Sequence, residues 1–210
     1  MTTMTSRAGW ALAAVLSLGV ALYSYRYVPP MEQMFGAGAS SVLGNLFARP
    51  WLALHAGMAA TALMLGPIQF LPAWRRIKGT HMWLGRSYVI CCIVAGLAGL
   101  RLAFGTTAGP IAGLGFGTLA VIWLFCTIRA WRLARARRFD DHRRWMIRSF
   151  ALTFAAVTLR LQIPLSQILG YDFMESYRII AWSAWVPNLI LAEIYLRRGT
   201  GRLHAAEQVR

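Results

Sequence analysis

The chain has 210 residues, of which 58% are hydrophobic and only 14% charged, with a net charge of +15 and a mean hydropathy of +0.50. Soluble globular chains carry roughly 45–50% apolar and about 25% charged residues. A soluble enzyme, a disulfide-framed secreted domain and a disordered chain are therefore excluded. The apolar excess falls in blocks of about 20 residues, the length a helix needs to cross the hydrocarbon of a bilayer.

Six such blocks are predicted in chain order: Trp10–Val28, Trp51–Leu71, Trp83–Phe104, Ile111–Ala130, Trp145–Leu165 and Ile179–Leu196. The first follows a short segment with Arg7, as a signal peptide would, but no small-residue cleavage site comes after it. Tyr23, Tyr25 and Tyr27 end it instead, in the manner of an interfacial aromatic anchor. The expected fold is all-α, an integral membrane bundle of six helices with a central four-helix core from spans 2–5. Residues 1–198 form one domain and 199–210 a polar tail, which is expected to be mobile.

All of the 22 basic residues except Lys78 are Arg. With the N-terminus in the cytoplasm, 17 of the 22 lie inside: Arg7, the group from Arg75 to Arg86, the run from Arg129 to Arg148, and four at the C-terminal end. The positive-inside rule then gives an N-in, C-in topology in the bacterial inner membrane. Attraction to anionic phospholipid at the cytoplasmic face accounts for the basic charge, so nucleic acid need not be invoked. Cys91, Cys92 and Cys126 lie inside spans and read as small packing residues. The outer connection Pro29–Pro50 reads as a surface-lying amphipathic segment or a cover over the bundle end.

Before the third and fifth spans the chain passes twice through Ala-Trp-Arg, a His and Trp-x-x-Arg-Ser-aromatic, at Ala73 to Tyr88 and again at Ala130 to Phe150. Spans two and three would then recur as four and five in the same orientation, an arrangement that places sites at the repeat interface.

Polar residues inside a bilayer are costly unless partnered, so they turn toward the bundle interior. His142 and Arg160 share a helical face with Met146, Ser149, Thr153 and Ala156. A second small and polar stripe carries His81, Gly85, Tyr88, Cys92, Ala95 and Gly99, and a third His55, Ala59, Ala62, Gly66 and Gln69. Packing explains the small residues but not a histidine on each stripe. His81 and His142 both fall at helix N-termini, where the dipole and nearby arginines favour neutral imidazole, the metal-binding form. They are the candidate axial ligands of a haem b iron, with Arg86 and Arg148 as candidate propionate partners. His55 and Arg160, at the opposite end, are candidates for an anionic or quinone headgroup. Glu193 reads as a partner of Arg197 one turn on, and Asp140 and Asp141 as N-terminal caps of span five. No nucleophile elbow, phosphate loop, HExxH or CxxC is present.

The elements around His55-Ala56-Gly57, Leu65-Gly66-Pro67-Ile68-Gln69-Phe70, His81-Met82-Trp83-Leu84-Gly85-Arg86, Asp141-His142-Arg143-Arg144-Trp145-Met146-Ile147-Arg148-Ser149 and Leu159-Arg160-Leu161 resemble a bacterial membrane-protein family, domain of unknown function 2306. The resemblance covers about two-thirds of the chain. It implies a helical integral membrane protein and brings no assigned reaction or functional residues. A weaker similarity is to cytochrome b561-type proteins, which have six spans and a histidine just before Trp-Leu-Gly. Those proteins carry two haems on two histidine pairs. Here only His81 and His142 are available as a pair, which argues against a second haem.

The first functional reading is thus haem-b or quinone-linked electron transfer with one bis-His site at the cytoplasmic side. The alternative is a cofactor-free scaffold or accessory subunit, working with a membrane-complex partner or as a homo-oligomer. Small-solute transport ranks below both, because no Gly/Pro interruption at mid-depth is expected in any span.

Overall fold

The computed structural model describes residues 4–28, 48–71, 77 and 79–207. Among them the chain is helical throughout its spans. Helix α1 is Met4–Ser24, extended by a 3-10 turn at Tyr25–Tyr27. It is followed by α2 Ala48–Gln69, α3 Thr80–Phe104, α4 Pro110–Arg135, α5 Phe139–Thr153, α6 Ala155–Ile168, α7 Phe173–Ser183 and α8 Val186–Glu207. Six segments are long and apolar enough to span a bilayer: residues 8–27, 50–69, 80–104, 110–135, 139–168 and 173–198. The last helix runs on to Glu207, through most of the segment read as a polar tail. The Pro29–Pro50 expectation and the first half of the inner repeat, Ala73 to Arg76, fall mainly outside the described residues.

Glycine and proline set the entries. Gly79 (φ +87°) and Gly109 (φ +91°) precede α3 and α4 in a backbone region that L side chains rarely adopt. Pro110 then opens α4, where its missing N–H costs nothing. Asp172 caps α7 by accepting from the Glu175 N–H at 3.0 Å. Span five lacks such a cap. Arg138 occupies the cap position, and Asp141 pairs back to it (Nε to Oδ2, 2.9 Å), so the two aspartates act on the first-turn dipole rather than as caps.

Spans five and six each divide into two helices at mid-depth, at Phe154 and at Ala184–Trp185, against the expectation of uninterrupted spans. The causes differ. Thr153 donates its hydroxyl to the Ser149 carbonyl at 2.9 Å, a back-bond that bends helices. Pro187 has no N–H to give the Ser183 carbonyl one turn earlier, and Trp185 tightens to an i–3 bond with Trp182 at 3.3 Å. Phe154 and Ala184 keep right-handed helical dihedrals, so both points are kinks rather than unwound segments. The unwound backbone that lines transporter ion sites is not formed there.

Small residues set the helix spacing. Helices α2 and α3 lie antiparallel, with His55 against Gly99 and Gln69 against Gly85, fourteen residues apart on each helix. Gly66 of α2 takes the Phe150 ring of α5, Gly96 of α3 takes Leu124 of α4, and Gly115 of α4 takes Ala181 and Trp182 of α7. Spans two to five thereby enclose the main core, which includes Tyr88, Cys92, Trp123 and Leu152. Span one packs on α2 and α6. Span six lays its first half, α7, on α4 and α6 and its second half, α8, on α5. The outward faces carry Leu12, Val15, Ile90, Leu97, Leu114, Phe125 and Ile190, each more than half exposed, an apolar girdle suited to lipid.

Candidate functional site

Among the described residues, three polar groupings within the bundle hold the candidate site residues. The deepest joins spans three, four and five. The Tyr88 hydroxyl meets Ser149 Oγ at 3.0 Å and Thr153 Oγ1 at 2.9 Å. Trp123 Nε1 donates to Thr153 Oγ1 at 3.0 Å, and Thr127 Oγ1 meets Ser149 Oγ at 2.7 Å. Every member is at most 6% exposed. Each hydroxyl has a partner, as a polar cluster in hydrocarbon requires. The Ser149 and Thr153 stripe was legible in the sequence. Trp123 and Thr127 were not singled out, because a Trp and a Thr in an apolar helix carry no signal until a partner helix supplies their acceptors.

This cluster fixes the relative level of His81 and His142. His81 is seven residues before Tyr88, and His142 is seven residues before Ser149. Seven residues are about two helical turns, so each histidine sits below its cluster member on nearly the same helix face. Helices α3 and α5 run in the same direction, so His81 and His142 lie about 10 Å along their helices from Tyr88 and Ser149, toward the same end of the bundle. Both residues are partly buried. His142 Nδ1 lies 2.8 Å from the Ala130 carbonyl. A carbonyl only accepts, so neutral His142 carries its proton on Nδ1 and has a lone pair at Nε2. Among the described residues no group of three or more His, Cys, Asp or Glu could hold a bare metal ion. A two-imidazole set suits an iron whose other four ligands come from a porphyrin.

The two arginines paired with these histidines in the sequence part company. Arg148 makes a two-pronged contact with Glu193 of span six, Nε to Oε1 at 2.5 Å and Nη2 to Oε2 at 2.9 Å, and lies 4.7 Å over the Trp145 ring. Glu193 therefore serves a neighbouring helix, where the sequence suggested Arg197 one turn on. Arg86 is exposed and lies 5.3 Å over the Trp83 ring. The Trp-x-x-Arg elements of the apparent repeat thus adopt the same stacked geometry on spans three and five.

At the opposite end, His55 Nδ1 donates to the Ala95 carbonyl at 2.9 Å, and the ring fits because Gly99 has no side chain; a Cβ there would sit 2.9 Å from Nδ1. Arg160 lies close enough to His55, Tyr23, Tyr27 and Tyr177 to interact with them electrostatically. The sequence paired Arg160 with His55. The tyrosines of span one read there only as an interfacial anchor, and Tyr177 not at all. Cys91, Cys92 and Cys126 are buried free thiols, as expected of packing residues.

A six-span all-helical membrane bundle with polar groupings at both ends defines the class of protein. The family of predicted membrane proteins designated domain of unknown function 2306 matches residues 52–196, from span two to span six. The chain belongs to that family. No curated protein and no solved structure matches it, so the likeness to cytochrome b561-type proteins gains no support from these comparisons.

Proposed function

We propose that the protein transfers electrons within the membrane, holding one b-type haem between His81 and His142. What supports this reading is that each histidine lies seven residues before a member of the Tyr88–Ser149 hydrogen bond, on helices that run in the same direction. The Ala130 carbonyl supports the same reading, since it orients His142 with a lone pair at Nε2, the usual arrangement of a ligating imidazole. Bound haem iron would supply a one-electron couple between its ferric and ferrous forms. Arg86 is the cation exposed for a propionate, while Arg148 is occupied by Glu193. We place this basic end toward the cytoplasm of a bacterial inner membrane, on the strength of the arginine distribution.

The test is a reduced-minus-oxidised absorption spectrum of protein purified from cells supplied with a haem precursor. A split α band and a shifted Soret band, both lost in His81→Ala and in His142→Ala, are expected. A colourless, fully stable preparation would overturn the reading and favour a cofactor-free scaffold.

A further inference from the structure

We infer that the groove along the first half of span six binds one ethanolamine phospholipid, with its phosphate on Arg178 and its ammonium on Glu175. The groove has a volume of about 780 Å³ and is lined by Ile111 of α4, by Glu175, Arg178, Ile179 and Trp182 of α7, and by Pro187 of α8. That volume falls within the roughly 300–1,000 Å³ of sites that hold small ligands. The groove crosses the break at Ala184–Trp185, so the kink that Pro187 produces shapes its deep end. Backbone acceptors pin its walls. Trp182 Nε1 donates to the Ile111 carbonyl at 3.1 Å, and Arg178 Nε donates to the Ala108 carbonyl, in the turn before α4, at 2.8 Å.

The two ends of the groove differ in chemistry. Ile179, Trp182 and Pro187 give it an apolar stretch toward the middle of the bilayer, suited to an acyl chain. Glu175 and Arg178 stand in the first two turns of span six, where headgroups meet hydrocarbon, and Trp182 follows one turn further in. Both charged residues are exposed, and a spacing of three makes them neighbours on one helix face. No ion pair joins them, and none ties Glu175 to another residue among those described. The ligand that fits offers an anion to the guanidinium and, beside it, a cation with N–H donors to the carboxylate. An ethanolamine phospholipid carries both at once, a phosphodiester and a primary ammonium on one short link. A phosphatidylglycerol headgroup satisfies Arg178 but sets its negative charge beside Glu175 with nothing to neutralise it. A choline headgroup has no N–H to donate. The groove opens at the end where α4 begins, opposite the end of α3 that carries His81, so the inference does not rest on the haem reading.

The experiment reconstitutes the full chain in phosphatidylcholine vesicles in which part of the lipid is brominated phosphatidylethanolamine, phosphatidylcholine or phosphatidylglycerol, and reads quenching of tryptophan fluorescence. The difference between the unmodified protein and Trp182→Phe isolates the indole in the groove. At equal bulk fractions, that indole should report brominated phosphatidylethanolamine enriched at least about threefold over brominated phosphatidylcholine. Glu175→Gln and Arg178→Gln should each bring the enrichment close to that of bulk lipid, and Glu175→Lys should shift the preference to phosphatidylglycerol. Glu175 has no described ion-pair partner to lose, so if Trp182→Phe does not fold, total quenching in its two variants reads the same site. Equal quenching by the three lipids would mean ordinary boundary lipid, and strongest quenching by phosphatidylglycerol would mean attraction to the arginine alone. An indole that none of them quenches would mean that another protein surface, such as a second copy of the chain, covers the groove. Each of these outcomes would overturn the assignment, as would an enrichment that survives Glu175→Gln.

Discussion

Gln162 and Ser183 are hydrogen-bonded to each other twice: the Ser183 hydroxyl donates to Gln162 Oε1 at 3.0 Å, and Gln162 Nε2 donates to the Ser183 carbonyl at 3.4 Å. That carbonyl is the one Pro187 leaves without its helical N–H. One turn deeper, Asn188 Nδ2 donates to Thr158 Oγ1 at 2.9 Å and to the Ala184 carbonyl at 3.1 Å. Span five therefore supplies side chains where the kink of span six has opened the backbone. Gln162→Leu should lower stability by about 0.6–1.7 kcal/mol, the usual worth of an interhelical hydrogen bond in a membrane. In a Pro187→Ala background, where residue 187 again donates to Ser183, the same substitution should cost less. Unfolding in mixed detergent-SDS micelles measures both, and an equal cost in the two backgrounds would show that Gln162 does not serve the freed carbonyl.

The hydroxyl cluster yields a ranking. Thr153 Oγ1 accepts from Trp123 Nε1 and contacts Tyr88 while donating to the Ser149 carbonyl. Thr153→Val keeps the volume and strands a buried indole N–H, so about 1–3 kcal/mol should be lost. Tyr88→Phe removes one hydroxyl and leaves Ser149 bonded to Thr127 and Thr153 to Trp123, so its cost should be smaller. If Tyr88→Phe proved the more damaging, Tyr88 rather than Thr153 would be the hub.

The division between what the sequence showed and what it did not follows from what each pattern encodes. Hydropathy and length gave all six spans, because crossing hydrocarbon is a property of one helix at a time. The stripes through Tyr88, Ser149 and Ala62 gave the inward faces for the same reason, helical periodicity being local. Neither kink is among the sequence expectations, although Pro187 stands in span six; the one at Phe154 depends on Thr153 choosing a backbone acceptor, which composition does not reveal. Contacts between spans were the least legible. Glu193 has an arginine one turn away in sequence and another across the bundle, and only the rotation of α8 against α5 selects Arg148. Tyr177 comes within electrostatic range of Arg160 for a similar reason: the break at Ala184–Trp185 sets where α7 lies against α6.

Glycine substitutions should separate by what a methyl group would meet. At Gly66 a Cβ would lie 2.3 Å from two Phe150 ring carbons, and at Gly115 it would lie 2.9 Å from the Ala181 carbonyl oxygen. A ring wedged in a core and a backbone oxygen yield little, so Gly66→Ala and Gly115→Ala should each cost about 1–3 kcal/mol despite alanine's better helix propensity. At Gly96 the neighbour is the end of the Leu124 side chain, 2.7 Å away, which can change rotamer, so the loss should be smaller. Gly19 meets nothing within 4 Å, and Gly19→Ala should lie within about 0.5 kcal/mol of the unmodified protein. A destabilised Gly19→Ala would indicate that α1 packs on something beyond its own chain.

The Arg148–Glu193 pair tests whether span six is held by charge and whether the basic end is free to serve a cofactor. Their side chains are 16% and 34% exposed, so neither charge is fully screened by water. Glu193→Gln should leave the guanidinium without its carboxylate on the Trp145 ring and cost on the order of 1–3 kcal/mol. Replacing both residues with leucine should recover part of that loss, because an apolar pair avoids burying an unmatched charge. Arg148→Lys keeps the charge but loses the planar fork, so it should fall between Glu193→Gln and the unmodified protein. Haem content measured on the same variants separates the two roles open to Arg148. If Arg148→Leu and Glu193→Leu change stability alike and leave haem content unchanged, the arginine's task is to clamp α8 onto α5. If Arg148→Leu alone lowers haem content, the arginine belongs to the cofactor and Glu193 is only its resting partner.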